Sequence, residues 1–385
     1  MELRVALFFL LFAILPTALL MLSLRAEVRR KCWWLWLPGL CLFIGALLLF
    51  VGSGYVHFTA RAWPIRLLTA IFCYGVPLTA FALLRLLSKC FSGWTARSLT
   101  GLGVLMAAGL IALLTYGFTR GVSSVRETRV LVADERIPRA FDDYKIAVVS
   151  DLHIGTYFAD TAAIGRKVDA VCALQPDLIC FVGDLVNFSD EEIDRFMPQL
   201  SRLKAKDGVV SVLGNHDYLM YYAPSDSLEV RRRQERLCQM ERELGWQLLC
   251  NEHIVLHRER DSLVVVGSEN QGEPPFPQRA DLQRAMAGIG PQAYAILLTH
   301  DPTHWRQGVV GATSIPLTLS GHTHGMQFAL MGWSPVAWKY AEWGGTYDVG
   351  TQRLCVTTGL GESLLPMRIG MPPEVLSVTL RHVDR

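Results

Sequence analysis

The chain has 385 residues, a formal net charge of +2, 51% hydrophobic residues and a positive mean hydropathy of +0.27. That length suits about two or three domains, and the composition is apolar for a soluble enzyme. Its polar half has near-balanced charge and no basic stripe, which excludes binding to nucleic acid by counterion release.

The apolar excess is concentrated at the start. Of 35 acidic residues, only Glu2 and Glu27 precede Arg120. Four apolar runs fill this stretch: Val5 to Leu24, Trp33 to Tyr55, Leu67 to Leu84 and Leu99 to Phe118. Each approaches or exceeds the roughly 18–20 residues that cross a bilayer core. Basic residues separate them, and Trp33, Trp34, Trp36 and Trp63 stand near their ends, where amphipathic rings favour the interface. The first run is longer than a signal-peptide core and is followed by further runs, so a cleaved leader is disfavoured. The expectation is a transmembrane region of about four helices over 1–120 and a multi-pass protein of the cell membrane. Lys and Arg are distributed six against seven between the two sides and do not decide orientation. The polar half has five cysteines without compact spacing, several of them in apolar runs, which suits reduced core thiols and a cytoplasmic catalytic half.

Residues 121–143 read as a connector plus an edge strand, "ETRVLVA". From Tyr144 a pattern recurs in which a short β-branched run ends in a polar corner. "KIAVVS" ends at "DLH", "LICFV" at "GDL", "GVVSVL" at "GNHD", "AYAILL" at "THD" and "PLTLS" at "GHTH". Helical-period segments separate the first three strands, and the second of these opens with Ser189 and Glu192 at capping-box spacing. The later text holds a charged helix from Ser227, two strands and a Pro/Gly-rich loop, "ENQGEPPFPQ". Buried strands with helices between them predict an α/β domain over 144–385, with ligands bound beyond the carboxyl ends of the strands.

Five of the ten histidines (His153, His216, His300, His322 and His324) occupy such corners, together with Asp151, Asp184 and Asn215. Core histidines have no reason to choose that edge repeatedly. Imidazole and carboxylate donors without cysteine suit Zn, Fe or Mn and argue against a structural zinc finger. About seven ligands are too many for one tetrahedral ion but suit two divalent ions sharing a carboxylate, which together activate a water and clamp a phosphoryl group. Gly321 and Gly325 flank the last pair as candidate joints of the turn.

The five blocks "DLH", "GDL", "GNHD", "THD" and "GHTHG", in that order, closely resemble the calcineurin-like metallophosphoesterases. The resemblance runs from about Tyr144 to the C-terminus. It implies a four-layer α/β/β/α sandwich, here preceded by the four-helix transmembrane region, and a dinuclear, metal-dependent phosphodiesterase or phosphatase. Carried over by position, it implies Asp151, His153 and His324 as ligands of one ion. Asn215, His300 and His322 would hold the other, with Asp184 bridging the two. His216 matches the family's catalytic histidine, which assists phosphoryl transfer, and Asp217 is expected to orient it.

His304, His253 and His257 read as surface or supporting residues, and Arg368 as a turn contact or a phosphate ligand. The apolar half and the aromatic residues after "GNHD" and "GHTHG", including Trp333, Trp338 and Tyr340, point to a lipid bilayer as partner. They also point to a phosphorylated, lipid-linked substrate. UDP-diacylglucosamine, a substrate known in the family, and prenyl or phospholipid carriers are the candidates. The competing reading is a membrane sensor or scaffold that binds nucleotide or a protein without turnover.

Overall fold

The structure, a computed structural model, describes residues 7–59, 62–220 and 227–384. The chain divides into two compact units, Met1–Thr119 and Arg120–Arg385.

The first unit is helical: α1 (Leu7–Ser23), α2 (Trp36–Thr59), α3 (Ala62–Leu87) and α4 (Gly93–Tyr116). Within it α3 packs against the other three. Two stretches are long and apolar enough to cross a bilayer, Ile65–Cys90 and Gly93–Gly121; Leu7–Ser23 and Trp33–Leu48 are shorter apolar helices. Leu102, Leu105 and Ile111 of α4 are exposed. A long apolar helix with an uncovered face is what lipid, not water, accommodates.

The second unit has two six-stranded mixed sheets. The first has the order β1 (Arg126–Asp134), β12 (Glu374–His382), β2 (Lys145–Val149), β3 (Leu178–Val182), β4 (Val209–Val212) and β5 (Gln247–Leu248). The second has the order β10 (Gly345–Val349), β11 (Gln352–Val356), β9 (Leu317–Ser320), β8 (Ala295–Leu298), β7 (Asp261–Gly267) and β6 (Glu252–Arg258). Strands β2 to β5 run parallel, as do β7, β8, β9 and β11.

The period-2 alternation of side chains along each strand builds the layers. Ile146 and Val148 of β2 enter a cluster with Cys180, Val210, Val265, Ile296 and Leu319, so the two sheets pack face to face. Ala147 and Val149 point the other way, onto Ile164 and Val168 of α5 (Thr161–Cys172) and Leu237 and Met240 of α6 (Ser227–Glu243). On the far side, Val264, Leu297 and Leu354 meet Trp305 and Ala285 of α7 (Leu282–Ala285). This gives the order helices, sheet, sheet, helices.

Ser189 and Glu192 do form a capping box, but the segment after it is not one helix. It is a 3-10 turn over Asp190–Arg195 and a short α-turn over Met197–Leu200. Pro198 lacks the N–H that a continuous helix needs there.

Candidate metal centre

Five corners meet at one place, three from the first sheet (after β2, β3 and β4) and two from the second (after β8 and β9). Backbone hydrogen bonds tie adjacent corners: Asp151 N–H to Gly183 O at 2.9 Å, His153 N–H to Asp184 O at 3.2 Å and Gly321 N–H to His300 O at 3.0 Å. The turns are tight. Asp151, His153, Asp184, His322 and His324 all have positive φ, between 44° and 75°. Non-glycine residues seldom adopt this left-handed conformation, and it concentrates at functional sites. Gly325 shares it at φ 54°, as expected of a joint. Gly321 serves by absence of bulk: a Cβ there would lie 2.0 Å from Ser150 Oγ and 2.7 Å from Asp151 Oδ2.

The side chains fall into overlapping groups. Asp151, His153 and His324 converge, with His153 Nε2 3.0 Å from His324 Nε2 and His324 Nε2 3.2 Å from Asp151 Oδ1. Asp184, His300 and His322 form the next group: Asp184 Oδ2 is 3.2 Å from His300 Nε2, and His300 Nε2 is 3.2 Å from His322 Nδ1. Asp184 Oδ2 also lies 3.6 Å from His153 Nε2, so one carboxylate faces both groups. His216 joins through His153, its ring edge-on at 4.6 Å, and its backbone N–H donates to Asp184 Oδ1 at 2.8 Å. Asn215 is buried on the same corner.

These donors fit divalent ions. Two imidazole nitrogens bonded at about 2.1 Å to one tetrahedral ion stand roughly 3.4 Å apart, close to the spacings seen here. Asp151 Oδ1 is buried without a hydrogen-bond partner, as a carboxylate oxygen reserved for a cation would be. Burial holds His153 and His324 well below the usual imidazole range and pushes His322 down to about 4. All three are therefore neutral and have a lone pair to give. His300 is the exception. Burial opposes its charge, but the Asp184 carboxylate lifts it to about 10. A cation held there would take over the proton's role against Asp184.

One sequence-based expectation is corrected. Asp217 does not orient His216. Its Oδ2 accepts the N–H groups of Asp184 (2.7 Å) and Gly214 (2.9 Å), and its Oδ1 those of Leu185 (2.9 Å) and Val186 (3.2 Å). The acceptor for His216 Nδ1 is the backbone carbonyl of Asn187, at 2.6 Å. A fully buried carboxylate surrounded by four aligned N–H donors is held by the backbone and has no reach left for the neighbouring ring.

Arg368 is likewise not a phosphate ligand. It is fully buried and donates to the carbonyls of Thr358, Gly359, Gly361 and Met371. His304 is buried as well, with Nδ1 2.9 Å from Thr299 Oγ1, and supports the β8 corner from behind.

Three contacts at the site are not foreseen from the sequence. Tyr340 OH is 2.9 Å from His322 Nε2, Asp301 Oδ2 is 3.5 Å from the same nitrogen, and the Phe276 ring stands edge-on to His322 at 5.1 Å. Asp301 sits in the "THD" block beside a candidate ligand, and that adjacency was the available signal. Phe276 arrives from a distant loop and carries none, and Tyr340, named above only among the aromatic residues after "GHTHG", carries none for this contact.

Residues 144–326 match the family model described as calcineurin-like phosphoesterase. This region is a calcineurin-like phosphoesterase domain. Among relatives, the chain is 28% identical to the uncharacterized metallophosphoesterase YkuE of Bacillus subtilis, over 73% of this chain and 95% of that protein. It is 25% identical to an uncharacterized metallophosphoesterase of Aquifex aeolicus, over 67% of this chain and 92% of that one. It is 26% identical to the "transmembrane protein with metallophosphoesterase domain" of Danio rerio, over 70% of this chain but only 60% of that protein's length. With its calcineurin-like domain and His/Asp clusters, the protein is a metal-dependent hydrolase of phosphoester bonds.

Proposed function

We propose that this calcineurin-like enzyme binds two divalent ions and hydrolyses a phosphoester or pyrophosphate bond in a lipid-linked substrate while anchored in the membrane by its first unit. The observation that carries the reading is the pair of donor groups joined by Asp184, with His216 beside them. Asp151, His153 and His324 would hold one ion, Asn215, His300 and His322 the other, and Asp184 both. Mn, Zn and Fe all suit this donor set. When bound, the ions supply an activated water and charge to neutralise the phosphoryl oxygens.

The chain's own residues do the rest. The backbone carbonyl of Asn187 fixes the His216 ring and accepts its Nδ1 proton, so Nε2 is the atom that exchanges a proton with the leaving oxygen. Asp217 holds the 184–186 turn in shape and thereby places Asp184. Tyr340 and Asp301 bracket the outer nitrogen of His322 and orient its inner one.

Four apolar helices with almost no acidic residues support a multi-pass anchor, and buried or half-buried thiols in the second unit support a cytoplasmic face. UDP-diacylglucosamine and prenyl or phospholipid phosphates are the substrates of this chemistry that combine a phosphate with an apolar tail. The test is hydrolysis by the full chain in detergent, with Mn, Zn or Fe, of these lipids against a water-soluble diester. Preference for the lipids is expected. Turnover of the soluble diester alone would overturn the lipid reading. Metal-independent binding without turnover, equal in wild type, His216→Ala and Asp184→Asn, would favour a scaffold.

A further inference from the structure

Directly after the histidine pair, the chain forms an apolar prong. Leu330 and Trp333 exchange both backbone hydrogen bonds, 2.9 and 3.0 Å, across a two-residue turn. Its central residues, Met331 and Gly332, have φ of 50° and 81°, the positive pair of a type I′ turn. Asn or Asp normally precedes Gly in such a turn; here it is methionine, and its side chain is 100% exposed. Leu330 is 61% exposed and Trp338 82%, with Trp333 exposed beside it and its ring 5.1 Å from that of Trp338.

The prong is rigidly rooted at the metal centre. Ala329 N–H donates to Ile369 O at 2.8 Å, and Ser334 Oγ donates to Gly325 O at 2.8 Å. Tyr340, a short way beyond, meets His322. The prong is therefore an ordered element that holds large apolar side chains in water, next to the residues that do the chemistry. A methionine in left-handed backbone at a fully exposed tip gains nothing from the folded chain alone. Such a departure from local preference marks a functional element.

We infer that this prong, with Met331 at its tip and Leu330, Trp333 and Trp338 at its flanks, inserts into the interface of a lipid bilayer and seats the metal centre against the headgroups. The occupant follows from the chemistry. From Gly325 to Tyr340 the sequence contains no acidic residue and a single cation, Lys339, whose Nζ stands 4.8 Å from the Tyr340 ring. A tryptophan pair and a lysine suit an anionic lipid interface, whereas a second copy meeting the prong with its own prong would offer the same cationic, acid-free surface and no complement. A narrow turn also presents little flat area for a self-complementary contact. The inference rests on the reading of the first unit as a membrane anchor and extends the lipid-linked substrate reading to the loop that would meet it.

The test uses the full chain in nanodiscs of phosphatidylcholine and phosphatidylglycerol, with a dansyl-bearing residue at position 331, at 338, or at the exposed control position 260 in the β6–β7 turn. At 331 and 338 the emission should shift to the blue and fall at least twofold when the lipids carry brominated acyl chains. At 260 neither change should occur. Water-like emission at 331 and 338 would overturn the inference, as would a blue shift that bromine leaves unquenched and that appears only with two chains per disc. The readout needs no turnover, so it stands apart from failure of the substrate reading.

Discussion

The imidazole of His216 donates through Nδ1 to the backbone carbonyl of Asn187 at 2.6 Å, while the carboxylate of Asp217, the next residue, turns inward to four backbone N–H groups. The two neighbours therefore fail differently. His216→Ala removes a proton-transfer group and should lower kcat by about 10²–10⁴-fold with metal content intact. Asp217→Asn sets an amide NH2 against backbone donors, with a cost of about 1–3 kcal/mol for each group left unsatisfied. It should lower thermal stability and metal content together. Metal analysis beside kcat separates them. A well-folded, metal-replete Asp217→Asn enzyme with only a shifted pH–rate profile would restore the orienting role.

Among the described residues, Asp184 is the one carboxylate that faces both donor groups, 3.2 Å from His300 Nε2 and 3.6 Å from His153 Nε2. Asp184→Asn keeps the shape and removes the shared charge. Elemental analysis should find about two ions in the wild-type protein, with stoichiometry in the variant below one and phosphoesterase activity lost. Retention of both ions would show that Asp184 does not bridge.

The sheet and the site differed in how far the sequence disclosed them. Strands such as "KIAVV" and "LICFV" are apolar runs ended by a polar corner, and local pattern suffices to read them. The site was legible because each of its members sits immediately after such a strand. What pattern could not supply was partnership. Asp217 follows His216 in sequence, and adjacency suggested a contact that the turn geometry forbids. Arg368 stays open in the sequence between a turn contact and a phosphate ligand, because its four carbonyl partners lie in a loop whose folding has no periodic signal; the structure makes it the turn contact. The helix expected after Ser189 is interrupted at Phe196, just ahead of Pro198, and the apolar spacing outweighs that proline in the sequence.

Asp301 and Tyr340 share the outer nitrogen of His322, at 3.5 and 2.9 Å. A carboxylate behind a metal-binding imidazole fixes its tautomer and strengthens its donation. Asp301→Asn should weaken affinity for the second ion by about 10–100-fold, read by calorimetry with Mn alone. Tyr340→Phe should cost less, since a carboxylate remains at the same nitrogen. Equal affinity in Asp301→Asn and wild type would place Asp301 outside the site's support.

Arg368 holds together the loop whose Leu360 and Gly361 N–H groups donate to Ser150 O and Asp151 O. It also lies 3.4 Å from the buried Glu362 carboxylate, which Lys167 reaches at 3.3 Å. Arg368→Met leaves carbonyls and part of that charge without a partner, which typically costs about 3–5 kcal/mol. Chemical denaturation should show this loss. A variant of native stability with a raised KM alone would return Arg368 to the substrate.

Glu241 gives a pH signature remote from the metal ligands. It lies buried on α6, where Ser211 Oγ donates to it at 2.7 Å. Burial, reinforced by the charge of Asp217, raises its carboxyl from 4.5 to about 8. The folded chain therefore binds this proton more tightly than the unfolded one. The stability it contributes is fully present below about pH 4.5 and is lost as pH rises through about 8. Glu241→Gln carries a permanently neutral amide, so it should be close to wild type at pH 5 and more stable than wild type at pH 9. A gap on the order of 1–3 kcal/mol is expected. Urea unfolding of the full chain in detergent, followed by tryptophan fluorescence at both pH values, measures it. A difference that stays constant between pH 5 and 9 would mean that Glu241 is already ionised in the folded protein.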